Sequence, residues 1–262
     1  MAEVGERTIT YDARGLVEPD ADVPNVSEID GSTAVFDAAN LTTRQINLEL
    51  RNLLYERGIR EVTVRNPGAK HSIGVGILTR CKITFEGSLG YFGCGLVDGP
   101  EIHITGRVGW SACENMMSGV VVISGNAGSL TGAALRGGDL VVKGRAGARS
   151  GIDQKGGLIL TMGSVGSMTG FMMQRGRQII CGDAGPGLGD SMYDGIIYVG
   201  GKVKALGIDC VPGEWTDADT EYIDRKFRIY GLGTPPEFQK FVCGRKLYNY
   251  DNLEPSERKL VL

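Results

Sequence analysis

The sequence predicts a mainly β chain: a right-handed parallel β-helix of about seven 19-residue coils over 81–211, preceded by an α/β cap (1–80) and followed by a helix and extended tail (212–262). Three features of the chain point to it. Glycine supplies 41 of the 262 residues and proline only 9, a surplus over the usual ~7% glycine without the proline of collagen or disordered chains. The glycines Gly87, Gly106, Gly125, Gly144, Gly163, Gly182 and Gly201 each lie 19 positions apart. Between them apolar residues recur at every second position, the spacing of strands rather than helices.

The N-terminal cap is announced by a helix. Thr42-Thr43-Arg44-Gln45 spells a capping box, Leu41 and Ile46 are placed as a hydrophobic staple, and Ile46, Leu50, Leu53 and Leu54 form an apolar stripe that ends before Gly58. Glu61-Val62-Thr63-Val64 then alternates as a strand, and Asn66-Pro67-Gly68 turns the chain into the first coil.

Within the coils, the position two before each glycine anchor reads Phe85, Ile104, Ile123, Val142, Thr161, Ile180 and Val199. Two further back stand Ile83, Ile102, Val121, Leu140, Ile159, Gln178 and Ile197. Both columns face inward and bury one continuous core as the coils stack. Three residues after the anchor a second glycine column runs from Gly90 to Gly185, until Lys204 breaks it. A third column reads Cys94, Cys113, Gly132, Gly151, Gly170, Gly189, and a fourth reads Gly119, Gly138, Gly157, Gly176, Gly195. Stacked strands lie about 4.8 Å apart, so a side chain at a sharp corner meets its own copies on the neighbouring coils, and glycine also reaches φ > 0 freely. Seven coils give a stack of roughly 35 Å. After the last coil the composition changes to aromatics, Trp215, Tyr222, Phe227, Tyr230, Phe238, Phe241, Tyr248 and Tyr250, among many charges, which predicts a capping helix and an aromatic interaction tail.

Charge and composition exclude several functions. Twenty-eight Lys and Arg against 31 Asp and Glu give a net charge of −3, which lacks the basic excess of a nucleic-acid binder. No apolar run approaches the ~18 residues that span a bilayer, and Met1 to Arg7 carries no leader core, so a cytoplasmic protein without a membrane partner is expected. Six scattered cysteines with no C-x-x-C and only two histidines, His71 and His103, spell no metal site. Cys94 and Cys113 share a column and read as small buried residues. The G-x-x-G segments are followed by strands, not by the helix that a phosphate loop needs. No catalytic set, cofactor site or metal site is expected in this chain.

What remains is a surface. Glu114-Asn115-Met116-Met117-Ser118-Gly119 aligns with Phe171-Met172-Met173-Gln174-Arg175-Gly176 and Asp190-Ser191-Met192-Tyr193-Asp194-Gly195. Exposed Met and aromatic residues at repeated positions suggest protein contact; an outer layer covered by the chain's own tail is the alternative. Arg136, Arg145, Arg149, Lys155, Arg175 and Arg177 form a basic cluster beside it, which a solvated face explains as well. The candidate partner-contact residues are Met116, Met117, Arg136, Lys155, Met172, Met173, Arg175, Met192, Tyr193, Phe238, Phe241 and Tyr248.

The G-x-x-G coils, the segment from Glu114 to Gly119, and the stretch Cys181-Gly182-Asp183-Ala184-Gly185 through Gly189-Asp190-Ser191 to Gly207-Ile208-Asp209-Cys210 resemble the GXGXG β-helix domain that ends the large subunit of glutamate synthase. The likeness covers about residues 40–211 and is similar to stand-alone versions of that domain, such as the β-helix subunit of N-methylglutamate synthase. The opening Thr43-Arg44-Gln45-Ile46-Asn47 favours this group, whereas the long aromatic tail departs from it. The resemblance implies a non-catalytic scaffold subunit in a hetero-oligomer. Its expected partners are a class II amidotransferase-like subunit and an FMN-binding glutamate-synthase-like subunit, with FMN and an iron–sulfur cluster held by a partner. The β-helix subunit of formylmethanofuran dehydrogenase shares the fold and supplies the alternative.

Overall fold

A computed structural model of the chain describes residues 27–245; Tyr248, Tyr250 and the rest of the expected tail lie outside them. The chain begins with β1 (Glu28–Asp30) and β2 (Thr33–Asp37), then α1 (Thr43–Arg51) running into a π-helical turn, Asn52–Glu56. The strands β3 (Glu61–Arg65), β4 (Lys82–Glu86), β5 (Glu101–Ile104), β6 (Val120–Ile123), β7 (Asp139–Val142), β8 (Lys155–Thr161) and β9 (Arg175–Ile180) follow. Next come β10 (Ala184–Leu188), β11 (Ile196–Val199), β12 (Val203–Leu206), β13 (Cys210–Pro212), α2 (Asp217–Tyr230) and β14 (Gln239–Cys243).

These elements build a β-solenoid of about eight turns. Strands β2 to β9 and then β11 pair in sequence order, all parallel, in one 12-stranded sheet. The 19-residue ruler is the register itself: Ile102 pairs with Val121, Val121 with Leu140, Leu140 with Ile159, Ile159 with Gln178 and Gln178 with Ile197. The two predicted inward columns are buried in one core. The one polar member of the second column, Gln178, is satisfied: its amide nitrogen donates to Gln154 Oε1 at 3.1 Å, and Gln154 in turn donates to the Gly156 and Gly157 carbonyls. Small parallel bridges such as Leu89 to Val108 and Val165 to Ala184 form a second side.

The ladder starts earlier than the glycine ruler. β3 pairs in parallel with β4 at an offset of 21 residues (Glu61 with Lys82), and β2 with β3, so the strand assigned to the cap is already a rung. Helix α1 has the expected capping box, with the Thr42 hydroxyl accepting from Gln45 N–H and Gln45 Oε1 accepting from Thr42 N–H. Its Ile46 and Leu50, with Leu53 and Leu54 of the π-helical turn, join the solenoid core. At the far end β14 pairs antiparallel with β11 and β13. An antiparallel strand thus lies on each end of the parallel stack, β1 on β2 and β14 on β11, which shields the terminal parallel strands from pairing with another chain.

The third side consists of turns. In seven successive coils three alternate residues take left-handed conformation, for example Ser111, Cys113, Asn115, then Leu130, Gly132, Ala134, then Arg149, Gly151, Asp153, these nine with φ between 51° and 67°. Their amides point alternately along the stack. Ser111 and Asn115 donate forward to Ser129 O and Ala133 O at 2.9 and 2.8 Å, while Cys113 donates back to Gly93 O at 2.9 Å.

Helix α2 does not cap the end of the stack, as expected from sequence; it lies along the flank. Ile223 and Phe227 pack on the outward sheet residues Val141, Leu158, Leu160, Ile179 and Tyr198 to make a second core. The outward column Val122, Val141, Leu160, Ile179, Tyr198 is apolar where the earlier Thr84 and His103 are polar. Strands buried on both faces lose the alternation of half-exposed strands, and this column carried that signal.

Candidate functional site

The methionine face divides in two. Met116 and Met173 are fully buried and Met192 is 3% exposed; with Leu135 and Gln154 they make one inward column, each residue 19 from the next. This corrects the expectation of an exposed row. Met117, by contrast, is 45% exposed, and the outward column runs Met117, Arg136, Lys155, Gln174, Tyr193. Met172 and Tyr193 are half-buried. Phe241 of β14 is a core residue, and Phe238 packs edge-on against Phe227 at 6.4 Å between ring centroids. The aromatic segment from Trp215 to Phe241 is therefore an intramolecular cover rather than a free docking tail.

A different exposed face takes the place of the methionine row. His71, Tyr91 and Trp110 stack on successive coils with centroid spacings of 4.5 and 5.4 Å. Tyr91 N–H donates to His71 Nδ1 at 2.9 Å. On the same turn side Phe92 and Leu96, like Trp110, are each about half exposed. Phe92 and Leu96 sit at φ 57° and 55°, a conformation in which an L side chain is uncommon. Stacking enforces that backbone: Phe92 N–H is tied to Trp110 O and Leu96 N–H to Glu114 O. A position of this kind favours glycine or asparagine, yet it holds large apolar side chains in contact with water.

The basic cluster is also divided. Arg136, Lys155, Arg175 and Arg177 line one cleft of about 590 Å³, whereas Arg145 and Arg149 do not. The cleft floor is the fourth glycine column, Gly138, Gly157, Gly176 and Gly195, and one wall is Tyr222 of α2. A Cβ at Gly138 would lie 2.5 Å from the Gly119 carbonyl oxygen, so the floor is bare because the stacking demands it. Asp139 is bonded by both Lys226 and Tyr230 of α2. Burial, then Asp139, pushes the Tyr230 hydroxyl well up, so it stays a donor. The Arg177 guanidinium lies 4.3 Å over the Tyr222 ring, a cation–π contact.

No protein-family profile matches the chain. Over 66 residues it is 38% identical to protein GlxC of Rhizobium meliloti (strain 1021), a stretch equal to 24% of this chain. The match spans 29% of that protein's length.

The six cysteines are unpaired thiols. Burial pushes Cys81 and Cys210 up to about 11 and Cys94 and Cys181 up to about 12, and Cys113 well above its ordinary value. Thiolate is the nucleophilic form, and burial holds these five as thiols. Among the described residues no three His, Cys, Asp or Glu side chains are placed to hold a metal ion, and no helix is long and apolar enough to cross a membrane.

Proposed function

We propose that the chain is a scaffold subunit of a glutamate-synthase-like assembly, in which it spaces an amidotransferase-like subunit and an FMN-binding subunit and does no chemistry itself. The exposed aromatic face, His71, Tyr91, Trp110, Phe92 and Leu96, carries the reading. Aromatic residues are enriched at interface cores, and a buried Trp or Tyr anchor contributes about 2 kcal/mol or more. A rod with a self-complete core and one apolar face suits a spacer. The likeness of the glycine columns to the glutamate synthase β-helix domain and the short match to protein GlxC support the choice of assembly.

The test is affinity purification from the native source of the parent and of a Trp110→Asp, Phe92→Asp variant. The parent should bring down a class II amidotransferase-like chain and a flavoprotein, and the variant should lose at least one of them while keeping its circular dichroism. Neither partner on the parent would overturn the assembly. Both partners on the variant would overturn the docking face.

A further inference from the structure

The solenoid sets cations against one another. Arg136 and Lys155 hold the same outward position on adjacent coils, and Lys155 is the registered partner of Arg175 across a bulge between β8 and β9. Adjacent strands are about 4.8 Å apart, and like charges directly opposite on a sheet are destabilising. Lys155 is relieved by Asp153. Two carboxylates line the cleft, Asp139 and Asp194. Asp139 is taken up by Lys226 and Tyr230, so it does little to offset Arg136 and Arg177, and the lining keeps an excess of positive charge.

Arg177 deepens the imbalance. Its guanidinium is fixed against Tyr222, and its Nε is buried with no hydrogen-bond partner, the one such side-chain atom among the described residues. A buried donor left unmatched costs about 1–3 kcal/mol, more when charged. The Arg177 charge thus lines the cleft beside Tyr222 as a fixed source of positive potential, and a concave site with low-dielectric walls focuses such a field. The cleft's size, about 590 Å³, is that of a small-molecule site.

We propose that this cleft binds a small, multiply charged oxyanion, with Arg136 and Lys155 contacting it at the mouth and Arg177 supplying fixed charge from the Tyr222 wall. Two sources share that chemistry, phosphate oxygens and carboxylate oxygens. The site is independent of the docking face and of the assembly proposed above, and its test involves neither.

Isothermal titration of the full chain at constant ionic strength, with pyrophosphate in one arm and citrate in the other, reads it out. Saturable one-to-one binding of either supports the site, and the better ligand identifies the source. The Arg136→Gln, Lys155→Gln double variant should weaken binding about tenfold or more, the loss expected of charge-assisted hydrogen bonds. The Arg145→Gln, Arg149→Gln variant, outside the cleft, should leave it unchanged, and both should retain the parent's circular dichroism. Two results overturn the proposal: no saturable binding in either arm, or equal weakening by the two variants.

Discussion

A single methyl group decides whether two coils stack. At Gly144 an added Cβ would lie 2.7 Å from the Gly125 carbonyl oxygen and 2.3 Å from Asn126 Oδ1, and at Gly163 it would lie 2.8 Å from the Gly144 carbonyl oxygen. Neither residue needs a positive φ, so close approach alone demands glycine there. Gly144→Val and Gly163→Val should each lower stability by about 2 kcal/mol or more, measured by denaturant or thermal unfolding. Melting equal to the parent's for both would refute the stacking argument. The columns were legible because stacking makes every coil a copy of the last. The side taken by Met116 against Met117 was not, since within one coil the irregular turn side has no hydrophobic period to read. The 19-residue column of Met116, Leu135, Gln154, Met173 and Met192, bulky throughout, held the answer.

At the level of elements, one buried carboxylate joins three of them. Asp219 of α2 accepts from Tyr198 of β11 at 2.6 Å and pairs with Lys240 of β14 at 2.8 Å. Burial alone would raise this carboxyl, but the bonds from Lys240, Tyr198 and Thr216 outweigh it and hold it down to about 2. Because the folded value lies below the unfolded one, the contribution is complete above about pH 4 and is lost as pH falls towards 2. It amounts to about 2 kcal/mol. Asp219→Asn should therefore flatten the fall in stability between pH 4 and pH 2 seen in the parent; an unchanged slope would rule this out. Lys240→Met leaves the buried carboxylate without its cation and should destabilise by about 3 kcal/mol at pH 7, read by urea unfolding. The helix α2 could be predicted from Thr216, Asp219 and Gly231, but its seat could not. Lys226 and Asp139 are 87 residues apart, and local pattern carries no information on such a contact. The cleft, whose wall is this helix, was illegible for the same reason; only its cations were visible.

The whole molecule is periodic, and its register should survive removal of one period. Deleting the 19 residues 87–105 joins Glu86 to Gly106 with every later column in place. That variant should fold with the parent's β-rich circular dichroism and a cooperative melt, while a deletion of residues 87–96 should not. Equal behaviour of the two would mean that the columns do not fix the stack. The turn side has a further consequence. Since alternate amides such as Ser111 and Cys113 donate to opposite neighbours, no interior coil can open without releasing the coils on both sides. Unravelling must then start at an end and run along the rod like a zip. The end held by β14 is fastened by the buried ion pair of Asp219 with Lys240, whereas at the β1–β2 end the described side-chain ties are hydrogen bonds, such as Ser27 to Glu49. In a single-molecule pulling experiment the chain should give way first from its N-terminal end, in steps of about one coil.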